Sequence, residues 1–468
     1  MAQARPVQPF SPSEHFIEGP DMSLLIKNVR LIDPSQNMRN IDAVGCLLVE
    51  DGLVAAVGEV ADGRIPPGVG IVDGAGAVLC PGLIDLHVHF REPGQTDKET
   101  IETGCRAAVA GGFTSVCAMA NTKPVNDSAS VTEFMLARAA RVGLCRYFPV
   151  GALTRGLAGE ELADYSALKE AGCVAFSDDG QPVMDASVFR KAMEYAKWLD
   201  MPIAVHEEDK NLAGSGYMNE GAAGAALGCL GIPAEAEEVM VARDLALIRH
   251  TPARTHFQHV STKGALHAIR LAKNEGLPVT CEVAPHHFAL TDRELAGFDP
   301  DFKMNPPLRS QADVDAILEA LADGTVDAIA TDHAPHTRSD KEVDLPSAPF
   351  GIIGLETALP LAIELLVRRD VIGLARAVEL LTAGPARVFS LDKMKLGSLA
   401  PGSPADFTLF DPAATVNVNR AFIKSRSFNT PFKDWELHGK VLGVWVGGKP
   451  VCPGLGTPAG EGWITQPR

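Results

Sequence analysis

Residues 81–94 read PGLIDLHVHFREPG, and this stretch decides both the fold and the site. An apolar run leads into His87 and His89, which one residue separates. In a β-strand, residues i and i+2 point to the same face, so both imidazoles point the same way. Two neutral histidines on one rigid strand form half of a zinc site. Such a pair alone is weak evidence, but the apolar run before it predicts an interior strand.

Seven more apolar runs follow the first, and stretches with helical periodicity separate them. Eight strands that alternate with helices are typical of an α/β protein, namely a TIM-type (β/α)₈ barrel. An open doubly wound sheet has the same local alternation, so strand count alone does not exclude it. Predicted helices include residues 187–199, 263–276 and 313–324. The eight predicted strands are residues 82–90, 114–119, 146–152, 173–177, 202–206, 254–260, 278–283 and 327–332.

Candidate metal ligands follow five of these eight strands. In a barrel the C-terminal strand ends converge on one face, whereas an open sheet spreads them apart. For a lone histidine, a satisfied core or loop position is the commoner outcome. Five coincidences at one topological position favour a metal centre instead. Four histidines and two carboxylates suit Zn²⁺, with donors for one or two ions and two favoured. The candidates are His87, His89, Asp178 or Asp179, His206, His259 and Asp332.

The two ends of the chain have a different pattern from the middle. Residues 23–79 and residues 391–455 read as short strands separated by glycine, aspartate and proline turns. We expect them to pair into one small β-sandwich domain that flanks a barrel over residues 80–390. Residues 1–22 are polar and proline-rich and predict a disordered leader, and residues 456–468 form a tail.

The charge, the apolar runs and the cysteines of the chain limit its binding partners and its location in the cell. The 468 residues carry a formal net charge of −17, which argues against a nucleic acid or an anionic membrane as partner. No apolar run is long enough to span a bilayer. The 9 cysteines are scattered without a Cys-x-x-Cys motif, which predicts free thiols and a cytoplasmic protein.

With these motifs, the sequence from Leu24 to about Val451 resembles the amidohydrolase superfamily and, within it, the class I dihydroorotases. The resemblance implies a barrel with a flanking β domain built from both chain ends, as the residue pattern predicts independently. Its motifs are PGLIDLHVHFREPG (81–94), the Asn121-Thr122 turn, AFSDDG (175–180), VHEED (205–209), HVST (259–262), FKMNPPLR (302–309), TDHAPH (331–336) and PFGIIGLE (349–356).

The resemblance implies a zinc-dependent hydrolase of a cyclic amide bond. Its expected reaction is the reversible hydrolysis of (S)-dihydroorotate to N-carbamoyl-L-aspartate, a step of pyrimidine biosynthesis. Many relatives bridge two metals with a carboxylated lysine on the fourth strand, but here Lys169 lies upstream of that strand end. In the resembled family an aspartate of the Asp-Asp-Gly turn takes this role. The resemblance assigns it to Asp179 and leaves Asp178 to the turn, although the spacing fits either residue.

The same resemblance distributes the remaining roles. Asp332 would lie beside the metals as a further ligand and act as general base and then general acid. Arg91 would bind the substrate carboxylate, because a guanidinium forks onto a carboxylate with two hydrogen bonds. From spacing alone, a surface Arg91 paired with Glu92 is a serious rival. One ion would lie on His87 and His89, and the other on His206 and His259. Asn121 and His336 would join Arg91, while Asn305 and the backbone of Phe350 and Gly351 would read the ring amides.

Two alternatives to this function stand beside it. A hydantoinase-like or allantoinase-like cyclic amidase is disfavoured by Arg91 and by the aspartate at the fourth strand. A non-catalytic, dihydroorotase-like partner of aspartate transcarbamoylase is disfavoured by the full ligand set and by Asp332. The substrate is expected to be a small molecule. A homo-oligomer, with a dimer favoured, and a complex with aspartate transcarbamoylase are further expectations.

Overall fold

The computed structural model describes residues 23–451. The predicted leader, the predicted tail and residues 452–455 lie outside the described residues.

The N-terminal part of the chain is a set of β-strands joined by short turns. Between residues 41–50 and 53–58, which form two adjacent strands, Asp51 and Gly52 both have positive φ, as a tight type I′ hairpin requires. The chain begins with β1 (Leu24–Asp33), β2 (Ile41–Glu50), β3 (Leu53–Gly58), β4 (Gly70–Asp73) and β5 (Val78–Pro81).

The eight barrel strands follow, and each overlaps one of the eight predicted runs. They form one parallel sheet in chain order, apart from the short pair β11 and β12. The sheet closes where Val88 bridges to His333 and the His89 N–H donates to the His333 carbonyl at 2.8 Å. This closure confirms the barrel and excludes the open sheet. The strands are β6 (Leu83–Val88), β7 (Phe113–Ala118), β8 (Arg146–Gly151), β9 (Ala175–Phe176), β10 (Ile203–Val205), β11 (Met218–Asn219), β12 (Gly231–Ile232), β13 (Thr255–Phe257), β14 (Val279–Val283) and β15 (Ala328–Ile329).

Helices cover the outside of the barrel, and their starts follow local capping rules. The Asp185 carboxylate accepts the N–H groups of Ser187 and Val188, and Thr262 accepts that of Ala265. The three predicted helices correspond to α4, α8 and α10 below. The helices are α1 (Ile101–Ala110), α2 (Ala129–Val142), α3 (Tyr165–Ala171), α4 (Ala186–Trp198), α5 (Lys210–Ala213), α6 (Ala222–Leu227), α7 (Glu235–His250), α8 (Lys263–Asn274), α9 (Pro285–Ala289), α10 (Gln311–Asp323), α11 (Arg338–Lys341), α12 (Ala358–Ala362), α13 (Leu374–Leu381) and α14 (Ala383–Val388).

The C-terminal strands join those of the N-terminus, which confirms the flanking β domain. They are β16 (Phe407–Asn417), β17 (Glu436–Val446) and β18 (Lys449–Pro450). The hydrogen-bonded order is β18-β17-β16-β5-β1-β2-β3, with β4 on β1. A bridge from Leu53 to Pro404 brings the edge strand β3 back towards β16, so this single sheet curls on itself. The rings of Phe407 and Trp445 stack in the hydrophobic core of this domain, with their centroids 4.9 Å apart.

The cysteines of the described residues agree with the expectation of free thiols. All eight of them are free, and six are buried. Within residues 23–451, no helix is long and apolar enough to cross a membrane.

Candidate active site

The barrel closure brings the predicted ligands of five strand ends into one buried cluster. Asp179 lies at its centre. Its Oδ1 is 3.4 Å from His87 Nε2, 3.6 Å from His206 Nδ1 and 3.5 Å from His259 Nε2. Its Oδ2 is 3.4 Å from His89 Nε2. The carboxylate therefore stands between two pairs of imidazoles.

Each pair of imidazoles presents two close nitrogens. His87 Nε2 and His89 Nε2 are 3.2 Å apart, and His206 Nδ1 and His259 Nε2 are 3.0 Å apart. Asp332 Oδ1 joins the first pair, 3.0 Å from His89 Nε2 and 3.5 Å from His87 Nε2. The cluster thus has two compartments that share Asp179, and Asp332 belongs to only one.

This donor set fits divalent metal. Two triads, His87–His89–Asp179 and Asp179–His206–His259, each hold three ligand atoms within 4.8 Å of one another. The ligand atoms of a tetrahedral zinc site lie about 3.3 Å apart, since zinc–nitrogen bonds are about 2.0–2.1 Å long. The separations of 3.0 to 3.6 Å here match that edge. Asp179 Oδ1 also lacks a hydrogen-bond partner although it is buried, which a cation would correct.

The electrostatics of the cluster keep its carboxylates ionised. Burial acts to raise the pKa of Asp179, but the charge of His87 and the adjacent imidazoles of His206 and His259 bring it well below its ordinary value. The pKa of Asp332 is also lowered, because His87 and His89 outweigh burial. Two anionic carboxylates facing imidazoles form an attractive environment for a cation.

The two neighbouring aspartates of the fourth strand end have different surroundings. The Asp178 Oδ1 accepts the N–H groups of Leu153 at 2.7 Å and Thr154 at 3.0 Å. Its Oδ2 accepts the Thr154 hydroxyl. Asp179, one residue later, points into the imidazole cluster. Of the two candidates that spacing left open, Asp179 therefore lies in the cluster and Asp178 holds the turn.

The backbone is strained at two of the candidate ligands. His259 has φ of +31° and Asp332 has φ of +48°, a region that residues other than glycine seldom adopt. Such strain persists only where surrounding contacts enforce it, and it is frequent at functional sites.

Asp85 is a site residue that sequence reasoning missed. This buried carboxylate accepts the His87 N–H at 3.0 Å, the Thr331 N–H at 3.1 Å and the Thr331 hydroxyl at 2.6 Å. It therefore fastens the first barrel strand to the residue before Asp332. The signal was available, because Asp85 precedes His87 by two residues and so shares its strand face.

The side chains of Asn121 and Glu282 contact two of the imidazoles on the ring nitrogen that faces away from Asp179. His89 Nδ1 lies 2.9 Å from Asn121 Oδ1, and His87 Nδ1 lies 3.1 Å from Glu282 Oε1. Asn121 was predicted on the substrate carboxylate, and in the structure its amide oxygen contacts His89. Glu282 was missed, although a charged residue inside the apolar run of β14 is costly unless it is paired. Burial raises the pKa of Glu282, but hydrogen bonds from His256 and His87 outweigh this and lower it to about 2.

Arg91 lies beside the cluster with its charge uncompensated at short range. Its Nε donates to the Pro335 carbonyl at 3.3 Å, and no carboxylate of the described chain lies within 4 Å of its guanidinium. The rival partner Glu92 is already engaged by the Arg138 guanidinium at 3.0 Å and the Ile101 N–H at 2.9 Å. Burial lowers the pKa of Arg91 to about 10, which leaves it cationic at neutral pH.

The residues predicted around Arg91 are largely occupied by contacts within the protein. Both ring nitrogens of His336 have partners, Nε2 at 2.8 Å from the Phe350 carbonyl and Nδ1 at 3.3 Å from Lys98 Nζ. Burial and the charges of Arg91 and Lys98 lower the pKa of His336 to about 2, so the ring is neutral. The Gly351 N–H donates to the Lys303 carbonyl at 3.0 Å. The ring nitrogens of His336, the Phe350 carbonyl and the Gly351 N–H are therefore already satisfied within the protein.

Asn305 connects to the second imidazole pair through a residue that was not predicted. Its amide nitrogen donates to Glu208 Oε1 at 3.1 Å, and Glu208 Oε2 lies 3.6 Å from His206 Nε2. Burial raises the pKa of Glu208, but hydrogen bonding and charge from His206, together with Lys210, lower it to about 2. Its position two residues after His206 was the available signal.

A closed (β/α)₈ barrel with histidines and aspartates at its strand ends defines the chain as a hydrolase of the amidohydrolase type. Comparison with known proteins narrows this class. The Dihydro-orotase-like family matches residues 76–265. A curated relative from Anaeromyxobacter dehalogenans (strain 2CP-1 / ATCC BAA-258), named Dihydroorotase, is 54% identical over 92% of this chain and 97% of its own. Another of that name, from Solibacter usitatus, is 50% identical over 91% of this chain and 97% of its own. The chain belongs to the dihydroorotase family.

Solved structures agree with this fold. L-hydantoinase (dihydropyrimidinase) from Arthrobacter aurescens superposes with a TM-score of 0.81 at 25% identity, covering 92% of this chain and 95% of that one. D-hydantoinase (dihydropyrimidinase) from Thermus sp. has a TM-score of 0.78 at 24% identity, covering 91% and 94%. These similarities extend over the barrel and the flanking sheet together.

Proposed function

We propose that this chain catalyses the reversible hydrolysis of (S)-dihydroorotate to N-carbamoyl-L-aspartate in pyrimidine biosynthesis. The observation that carries the proposal is Arg91, a cation without a close carboxylate beside a buried cluster of metal-ligand donors. A substrate that carries both a carboxylate and a cyclic amide satisfies both features at once.

In this proposal, His87, His89 and Asp332 would hold one zinc ion, while His206 and His259 would hold a second. Asp179 lies between the two sets and contacts both. Zinc bound there would polarise the amide carbonyl and activate water for attack. The triads of donor atoms support two ions, because each compartment has its own imidazole pair.

The side chains of the protein supply proton transfer. Asp332 is ionised and lies at the edge of the cluster, so it can accept the proton that attacking water releases. It then returns this proton to the ring nitrogen when the carbon–nitrogen bond breaks. In the reverse reaction Asp332 removes the proton from the ureido nitrogen before ring closure.

Binding residues orient the ring for this step. Arg91 binds the substrate carboxylate with two hydrogen bonds. Asn121 is proposed to add a bond from its amide nitrogen, since its oxygen is held by His89. His336 is proposed to join Arg91 at the substrate carboxylate. Asn305 and the Phe350–Gly351 backbone are proposed to face the ring amides.

A hydantoinase-like activity is the second candidate, since the solved structures with the same fold carry that name. Arg91 argues against it, because a hydantoin ring has no obligatory carboxylate to neutralise a buried cation. A non-catalytic partner role is disfavoured by the full donor set around Asp179.

The deciding experiment measures zinc per chain and hydrolysis of dihydroorotate beside dihydrouracil, hydantoin and allantoin. Dihydrouracil is the matched control substrate, because it has the same ring without the carboxylate. We expect turnover of dihydroorotate alone, and we expect Arg91→Met to raise KM for it by about 100-fold or more, which corresponds to a lost charged hydrogen-bond pair. Equal turnover of dihydrouracil and dihydroorotate would move the assignment to a general cyclic amidase.

The location and assembly of the protein form a separate part of the proposal. Free thiols in the described chain support a cytoplasmic location. We propose a homo-oligomer, with a dimer favoured, and a complex with aspartate transcarbamoylase. Light scattering of the purified chain, alone and mixed with aspartate transcarbamoylase, measures both states. A monomer in both samples would contradict both assembly proposals.

A further inference from the structure

The seventh barrel strand carries no candidate metal ligand, yet it places a carboxylate directly behind one. Glu282 on β14 is 1% exposed and lies between two imidazoles. Its Oε1 is 3.1 Å from His87 Nδ1, and its Oε2 is 3.0 Å from His256 Nε2. His256 Nδ1 in turn lies 2.8 Å from the Thr280 hydroxyl. A continuous chain of polar contacts therefore runs from the half-buried Thr280 through His256 and Glu282 to His87 in the donor cluster.

The two ring nitrogens of His87 have opposite surroundings, and this makes its tautomer decisive. Nε2 faces Asp179, Asp332 and His89, so it must offer a lone pair to bind metal. The ring proton must then reside on Nδ1. A carboxylate has no proton to donate when ionised, so Glu282 accepts from Nδ1–H and favours this tautomer.

A competing group makes the carboxylate necessary. The amide nitrogen of Gln258 also lies 3.1 Å from His87 Nδ1, while its oxygen accepts the Ser177 hydroxyl at 3.0 Å. Donation from Gln258 to Nδ1 would move the ring proton to Nε2 and remove the lone pair from the metal side. A hydrogen bond to an ionised acceptor is roughly twice as strong as a neutral one, so Glu282 prevails over Gln258.

We propose that Glu282 is a positioning residue that keeps the His87 proton on Nδ1 and so presents Nε2 to metal, with His256 holding the Glu282 carboxylate in place. This inference rests on the proposed metal centre. Outer groups that orient a metal-binding histidine generally contribute about 10-fold to 100-fold in metal affinity. In this way β14, which carries no candidate metal ligand, strengthens zinc binding through Glu282.

The test compares zinc dissociation constants, measured by competition with a chelator, for wild type, Glu282→Gln and Glu282→Leu. We expect affinity to fall about 10-fold in Glu282→Gln, which keeps an acceptor, and about 100-fold in Glu282→Leu, which has none. Glu356 provides the matched control. It is also 1% exposed and accepts the backbone N–H groups of Lys424 and Ser425. Glu356→Gln and Glu356→Leu should keep the wild-type zinc affinity.

A second measurement reads the tautomer directly. In the zinc-loaded wild type, proton NMR should show a His87 Nδ1–H resonance, which is assigned by its absence in His87→Gln. In the wild type this proton should exchange slowly with water. In Glu282→Leu the same proton should exchange rapidly. Unchanged zinc affinity in both Glu282 variants overturns the inference. If Glu282→Leu fails to fold, Glu282→Gln decides alone, and wild-type affinity there overturns it. If the wild type itself neither binds zinc nor hydrolyses dihydroorotate, the proposed function fails instead.

Discussion

Replacing each member of the Asp178–Asp179 pair should separate stability from metal binding. Asp178 accepts two backbone N–H groups and one hydroxyl, all buried. Asp178→Ala leaves three donors without partners, and at about 1–2 kcal/mol for each the loss is about 3–6 kcal/mol. That is a large share of the roughly 5–15 kcal/mol that typically stabilises a folded protein. Asp179 accepts no backbone donor, so Asp179→Ala should leave the metal-free protein nearly as stable as wild type.

The metal-binding outcome should be the reverse. Asp178→Asn keeps an oxygen for both backbone N–H groups and should bind wild-type amounts of zinc, whereas Asp179→Asn should lose zinc and turnover together. The assay is urea unfolding of metal-free protein at pH 8, above the pKa of Asp178, which burial raises to about 6. Zinc per chain is measured on the same preparations. Loss of zinc in Asp178→Asn with retention in Asp179→Asn would refute the assignment.

Asp332, the buried Lys341 and the metal itself can each be perturbed separately. Asp332→Ala should retain zinc, because four histidines and Asp179 remain, yet lose turnover by about 100-fold to 10,000-fold; hydrolysis at a near wild-type rate would show that another group transfers the proton. Burial lowers the pKa of Lys341 to about 7, so the folded state binds fewer protons than the unfolded state above that pH. The stability of wild type relative to Lys341→Met should therefore rise between about pH 7 and 10, and a pH-independent difference in unfolding free energy would contradict this. Removal of metal with a chelator should abolish turnover, and added Zn²⁺ should restore it; full activity in a zinc-free sample would disprove metal dependence.

Local sequence pattern was sufficient for the elements and for the direction of several side chains. The alternation around His87 and His89 predicted an inward-facing strand, and the eight apolar runs correspond to the eight barrel strands. These features depend on neighbours a few residues apart, since strand periodicity is a property of the local backbone. The barrel rule then placed the strand ends on one face, which predicted that His206, His259 and Asp332 would meet there.

Contacts between distant strands could not be read in the same way. His87 and Glu282 are 195 residues apart, and the sequence does not distinguish this buried pair from an exposed pair such as Arg30 and Asp42, which are 2.7 Å apart on the surface. From the sequence, Glu92 could have been the partner of its neighbour Arg91. In the folded structure Glu92 binds Arg138. Likewise, the choice of Asp179 over Asp178 depends on which carboxylate meets the N–H groups of Leu153 and Thr154.

The sequence by itself therefore determined the barrel, its flanking sheet and the residue types that gather at one end. Only the tertiary structure decided which atoms face one another, because closing the sheet brings strands one and eight together and fixes each side chain against partners far along the chain. Asp85 shows the difference: its strand face follows from its spacing to His87, but its bonds to Thr331 exist only in the closed barrel.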